Sequence, residues 1–203
     1  MAKIDYKKDL KHLYNPSAKE VSFVDIPAMN FIRIDGEGDP NTSEQFQEAM
    51  NILFSLSYTL KFMVKKLDPS FDYGVMPPEG LWWTDDMQNF DMNRKELWKW
   101  RLMIMQPEVV TPKLYVEAVE TIQKKKHLPG LGKARFDSYA EGPAAQIMHH
   151  GPFSTEGPTV AKIHEVIHQS GHELYGLHHE IYLNDFRKAS PERLKTIIRQ
   201  PYR

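Results

Sequence analysis

The chain is 203 residues long, 41% of them apolar and 26% charged, proportions that sustain one core or two small ones and lie far from intrinsic disorder. Lys and Arg number 26 against 27 Asp and Glu, a formal charge of −1, so no basic surplus suits a phosphate backbone and no nucleic-acid partner is expected. Cysteine is absent, which removes disulfides, thiolate nucleophiles and thiolate metal sites.

Residues 1–18 alternate Lys, Asp and Tyr and close on Asn15-Pro16-Ser17, a turn signal that makes this stretch an N-terminal leader. It is charged rather than signal-like, and no apolar run in the chain approaches the roughly 18 residues of a spanning helix. A cytoplasmic protein without membrane contact is expected. Residues 19–110 read as a first module. Two short extended segments, 21–26 and 29–35, flank Pro27, and Gly36, Gly38 and Pro40 then break the chain. Thr42 with Gln45 forms a capping-box pattern, and Phe46, Met50, Leu53, Ser57, Leu60 and Val64 follow at helical spacing. Residues 73–76 and 80–84 are extended around Pro77-Pro78, and 97–105 read as a strand.

Residues 111–128 predict a connecting helix with Thr111 as N-cap, Pro112 at the first position and an apolar stripe of Leu114, Ala118 and Ile122 ending in Lys124, Lys125 and Lys126. Residues 129–203 repeat the earlier order: strands at 134–139 and 144–149, a helix over 154–170, and extended segments at 173–184 and 195–199. The halves also share wording. Pro27-Ala28 recurs as Pro143-Ala144, Tyr73-Gly74 as Tyr175-Gly176, and Gln106-Pro107 as Gln200-Pro201. A carboxylate follows each Tyr-Gly pair, Glu79 in one half and Glu180 in the other. Such recurrence in one order points to an α+β fold of two tandem pseudo-symmetric β-α-β-β modules with a ligand cleft between them.

Four strings in order, Glu79-Gly80-Leu81-Trp82-Trp83, Met103-Ile104-Met105-Gln106-Pro107, Gln146-Ile147-Met148-His149-His150-Gly151-Pro152 and His178-His179-Glu180-Ile181-Tyr182-Leu183, resemble those of stand-alone GyrI-like small-molecule-binding proteins over residues 21–201. The resemblance implies paired β-α-β-β modules like the effector-binding domains of multidrug-sensing regulators, with Glu180 in the cleft among aromatics. Those regulators carry a separate DNA-binding region. None is recognisable here, so the expectation is ligand binding without DNA reading.

The chemistry of the residues fits that role. Alternation along the strand puts Glu180, Tyr182 and His178 on one face and His179, Ile181 and Leu183 on the other. A carboxylate among rings attracts a delocalised organic cation, each ring face adding about 0.5–2 kcal/mol. Glu180 is therefore the expected anchor, with Tyr182, His178, Trp83, Trp82, Glu79, Tyr139 and Trp100 as surrounding contacts. Trp83 has the parity of Glu79, and Tyr139 shares its face with Arg135 and Asp137. Trp100 shares its face with Trp98, Leu102 and Ile104, a pattern equally typical of core. The function read from these parts is uptake of hydrophobic, often cationic, aromatic small molecules. Some relatives with the Trp-Trp string are implicated in hydrolysing cyclopropane-containing DNA-alkylating natural products. The alternative is that chemistry, with Glu180, Glu79 and Tyr182 handling water and protons and Trp82 and Trp83 stacking on substrate.

His164-Glu165-Val166-Ile167-His168 matches the H-E-x-x-H zinc pattern. The position that would supply a third ligand holds Leu174. On a helical wheel Val160, Ile163 and Ile167 form the buried stripe, His164 flanks it and His168 turns toward solvent. No metal or cofactor is expected, and the sequence names no protein partner.

Overall fold

The computed structural model describes residues 4–86 and 94–203. Along the chain run α1 (Tyr6–Asp9), α2 (Lys11–Tyr14), β1 (Ser22–Ile26), β2 (Met29–Glu37), α3 (Glu44–Leu67), β3 (Pro78–Trp83), β4 (Lys99–Gln106) and α4 (Pro112–Lys125). β5 (Arg135–Tyr139), β6 (Gly142–His150), α5 (Gly157–Gln169), β7 (His178–Tyr182) and β8 (Lys195–Pro201) complete the order. The fold is α+β, and its residues divide into two units. Met29–Met76 and Trp82–Tyr139 make up most of the first, and Lys7–Ala28, Pro77–Leu81 and Ala140–Arg203 the second.

In the first unit the strand order is β3-β4-β2-β5, and in the second β1-β6-β8-β7-β3, with β3 beginning in the second and ending in the first. Each unit thus contains a β-α-β-β core, β2-α3-β3-β4 or β6-α5-β7-β8. Register supports the internal repeat: Gln106 lies across from Asn30 and Gln200 across from Ala145, so the two Gln-Pro dipeptides close corresponding strands. One feature differs from the reading by halves. β1 pairs antiparallel with β6, and β5 with β2, so each unit takes its extra strand from the other half of the sequence. The link between β1 and β2 explains part of this. Two-residue hairpins need a positive φ, which Pro27 cannot adopt and Ala28 does not show.

Helix α3 begins one residue later than the capping-box pattern suggests. Thr42 is engaged in a turn through its backbone N–H to Asp39 O (3.1 Å), and the Ser43 hydroxyl accepts from Phe46 N (3.2 Å). The buried side of α3, including Phe46, Met50, Leu53, Leu60 and Val64, supplies the first unit's core together with Ile32, Ile34, Leu102 and Ile104. Trp82 stacks on Phe46 at 6.0 Å, and Trp100 meets the same ring edge-on at 5.3 Å. Gly36 lies opposite Trp100, and a Cβ there would strike the indole, so the break expected at this glycine is a space reserved for a ring. Helix α4 starts as its sequence indicates: the Thr111 hydroxyl accepts from Leu114 N (3.2 Å), and Leu114, Ala118 and Ile122 are buried. In the second unit α5 lays Ile163 and Ile167 on Ala145, Ile147 and Ile198 of the sheet. Among the described residues no helix is long and apolar enough to cross a membrane.

Candidate functional site

Strand β7 presents chemically different residues on its two faces, as the period-two geometry of a strand requires. On one face Glu180, with a side chain 15% exposed, accepts from the Tyr182 hydroxyl at 2.8 Å and from His178 Nε2 at 3.2 Å. Tyr182 is buried and stands edge-on to Phe153 (5.7 Å) and Phe186 (5.4 Å), which also meet each other edge-on at 6.0 Å. Each such pair contributes about 0.5–1.5 kcal/mol beyond area burial. The two Phe rings therefore fix the phenol that holds Glu180.

Two more groups feel the charge of this carboxylate. Glu156, at the N-terminal end of α5, is 4% exposed, and its side chain caps no helix amide. Burial, and then the neighbouring Glu180 carboxylate, push its pKa up to about 10, so it is a neutral acid at neutral pH. Its Oε1 has no hydrogen-bond partner, and the nearby Thr196 hydroxyl, also buried, makes no bond of ordinary geometry. His149 on β6 sits between Thr159 (3.0 Å from Nδ1) and Thr155 (3.3 Å from Nε2), and burial lowers its pKa. Among the described residues no Lys or Arg forms an ion pair with Glu180 or Glu156, and the only ion-pair partner of Glu180 is His178.

The other face of β7 carries His179 into a buried polar network. Its Nε2 lies 3.0 Å from Glu79 Oε2, and its Nδ1 lies 2.9 Å from Glu141 Oε1. A carboxylate on each nitrogen requires both to carry hydrogen, so the ring is an imidazolium. Burial opposes that charge, but Glu141 and Glu79 outweigh it and hold the pKa up at about 9. Arg199, across from His179 in the ladder, donates to Glu141 Oε2 (3.2 Å), to Gln146 Oε1 (3.0 Å) and to the Leu13 carbonyl (2.9 Å). Tyr14 donates to Glu79 Oε1 (2.7 Å), and burial followed by Glu79 raises its pKa well above the ordinary phenol value. Two carboxylates, one imidazolium and one guanidinium balance to zero, the arrangement a dry interior demands.

The profile of the GyrI-like small-molecule binding domain matches residues 19–203. The chain belongs to the GyrI-like family. No curated protein matches it. Among solved structures, an uncharacterized conserved protein from Listeria innocua is 38% identical with a TM-score of 0.91, over 99% of this chain and all of that one. A hydrolase from the same organism is 36% identical with a TM-score of 0.89, over the whole of both chains. The C-terminal domain of EcmrR, at 12% identity and a TM-score of 0.55 over 91% of this chain and 97% of that one, shares the fold.

Within this GyrI-like chain the residues singled out from sequence fall into three groups. Glu180, Tyr182 and His178 come together as alternation indicates. Glu79 does not join them: it is fully buried, both its oxygens are bonded, and its partner is His179 on the reverse face of β7. Trp82 and Trp100 are core residues of the first unit, Trp83 is half-buried at the end of β3, and Tyr139 is half-buried with its ring edge-on to Phe31 at 6.3 Å. On α5, Ile163 and Ile167 are buried, His164 is half-buried and His168 exposed, as the wheel indicates. Among the described residues no three His, Asp or Glu side chains are grouped to hold a metal ion.

The sequence patterns do not single out Phe153, Phe186, Glu156 and His149. The two Phe rings meet Tyr182 from a 3₁₀ turn and a loop, Glu156 lies at a helix start and His149 on β6, which β8 separates from β7, and only the Gly151-Pro152 break before Phe153 offers a local hint.

Proposed function

We propose that this GyrI-like protein takes up hydrophobic aromatic organic cations, with Glu180 as counter-charge and Tyr182 and His178 beside it. The observation that carries the reading is a mostly buried carboxylate whose bonded partners are an imidazole and a phenol set edge-on to two Phe rings, and which, among the described residues, has no Lys or Arg as ion-pair partner. Such a group gains from a guest that brings its own positive charge and a flat apolar body, because guest and site then desolvate together.

The test compares a charged ring system with an uncharged one of similar area. Glu180→Gln is expected to weaken ethidium by about tenfold or more, equivalent to ~1.4 kcal/mol, while leaving neutral phenanthridine within about threefold. Titration calorimetry on both ligands reads the difference. Equal losses would remove the charge from the explanation.

A second reading is hydrolysis, with a strained cyclopropane as the substrate to test: a neighbour that is 36% identical along its whole length is named a hydrolase, which supports the reaction class and names no substrate. In that reaction water's oxygen bonds to the ring carbon and the ring C–C bond breaks. Its electron pair moves into the conjugated carbonyl, which gains a proton and becomes a phenol. Glu180 would take the proton from water. Incubation of a cyclopropane-containing indole in oxygen-labelled water is expected to give labelled ring-opened product, with turnover lost in Glu180→Gln. Product without label, or turnover unchanged in the variant, would exclude Glu180 from this role.

A further inference from the structure

We propose that the groove between α3 and α4 is a second small-molecule site, one that takes flat organic anions such as aromatic carboxylates and sulfonates. It does not depend on the Glu180 reading: every residue that forms it belongs to the first unit, and its charge has the opposite sign.

The groove exists because the packing of the two helices runs out. On α4 the buried stripe of Leu114, Ala118 and Ile122 ends at Ile122, and the next turn presents Lys125 in place of an apolar residue. On α3, Ser55 and Thr59 line the gap from successive turns, and both are too short to fill it. What remains is a cavity of about 290 Å³, close to the lower bound of the roughly 300–1,000 Å³ typical of small-molecule sites. Buried Ile122 and half-buried Met63 give it an apolar lining. Phe62 lines it too and is 60% exposed, so its ring face is open to a guest.

The charge around this lining is of one sign. Lys66 from α3 and Lys125 and Lys126 from the end of α4 border the cavity, and no Asp or Glu of the described residues lines it. Lys61 and Lys65 are both neutralised by Asp72, at 2.9 and 2.7 Å, whereas Lys66, Lys125 and Lys126 form no ion pair among the described residues. The last turn of a helix favours cations, but Lys65 and Lys124 meet that preference without lining the cavity. Three lysine stems beside an apolar surface leave their ammonium groups at its mouth, where they repel one another until an anion joins them. The guest that fits brings a negative group at one end and a flat apolar body at the other. A cavity of this size holds one ring system rather than the row of anchors an amphipathic helix needs, and a second copy docked groove to groove would set lysines against lysines.

Anilinonaphthalene sulfonate and phenyl-naphthylamine, the same rings without the sulfonate, test the two parts of the proposal by fluorescence at low ionic strength. The sulfonate is expected to bind wild type, to weaken about tenfold or more in the double variant Lys125→Glu, Lys126→Glu, and to lose the groove in Thr59→Trp, whose indole fills it. The neutral compound should stay within about threefold in the lysine variant and weaken about tenfold in Thr59→Trp. A sulfonate that does not bind wild type, or that binds both groove variants as it does wild type, overturns the proposal. So does one weakened by Glu180→Gln instead, which would place it in the other unit. Equal losses of both compounds in the lysine variant would remove the anion from the explanation. Self-association abolished by Thr59→Trp, with no sulfonate bound, would give the groove to a second copy. Should Thr59→Trp fail to fold, the lysine variant decides alone, since both its changes are at exposed side chains.

Discussion

Replacing His179 with Leu is expected to destabilise the protein by about 3–5 kcal/mol, the usual effect of removing one partner from a buried charge pair. The loss comes less from the missing imidazole than from what remains. Glu79 and Glu141, whose side chains are both buried, each lose a bond to a positive ring, and Arg199 alone faces the excess charge. Thermal unfolding followed by circular dichroism should show the midpoint falling by roughly 10 °C. The same ring sets a pH dependence. Its folded pKa of about 9 exceeds the ordinary value of about 6.5, so its stabilisation is complete below that ordinary value and disappears as pH rises toward 9. Glu141 works at the opposite end. Burial would raise its pKa, but His179 and Arg199 outweigh that and lower it, so its contribution is present above the ordinary carboxylate range and is lost on acidification. Wild type should therefore lose stability between pH 6.5 and 9, and the variant should have a flatter profile there. An equal alkaline slope in both proteins would acquit His179.

The second large effect is expected from the leader. A chain begun at residue 19, where the family profile begins, lacks the Leu13 carbonyl that receives Arg199, the His12 carbonyl that receives Gln146 (2.7 Å) and the Tyr14 hydroxyl that serves Glu79. Leu13 and Tyr14 are themselves almost wholly buried, and the Ser17 carbonyl bonds to Met148 N at 2.9 Å. Each orphaned polar group costs about 1–3 kcal/mol and each lost apolar side chain about 1.5–3 kcal/mol. Their total rivals the stability of a whole small domain. The truncated chain should fail to give a cooperative unfolding transition, whereas Tyr14→Phe should fold with a loss of about 1–3 kcal/mol. A truncated chain as stable as wild type would show that these bonds are replaced by water at no expense.

Much of the architecture was legible because it is written in short-range patterns. The stripe of Leu114, Ala118 and Ile122, the Thr111-Pro112 start, the alternation that sets Glu180 with Tyr182, and the repeated dipeptides all describe neighbours along one element. The part played by Leu13 and Tyr14 is the least legible. Nothing in the charged run before Asn15 signals that its backbone carbonyls will terminate a buried arginine. Glu79 and Glu180 looked alike after their Tyr-Gly pairs, yet one balances an interior imidazolium and the other borders a ring cluster. That distinction depends on which face of β7 each adjoins, and hence on a long-range strand pairing. Glu156 escaped notice for the same reason, since the first turn of a helix is an ordinary place for an acid.

The crossed assignment of β1 and β5 constrains how the polypeptide acquires its structure. As it leaves the ribosome, the first unit lacks its edge strand until residue 139 has emerged, and β1 has nothing to bind until β6 appears more than a hundred residues later. Cleavage within α4 would leave two fragments, each carrying a strand that belongs to the other's unit. Such long-separation contacts slow assembly and leave strand edges open meanwhile. Separately made halves should therefore be poorly behaved alone and should recover order when mixed.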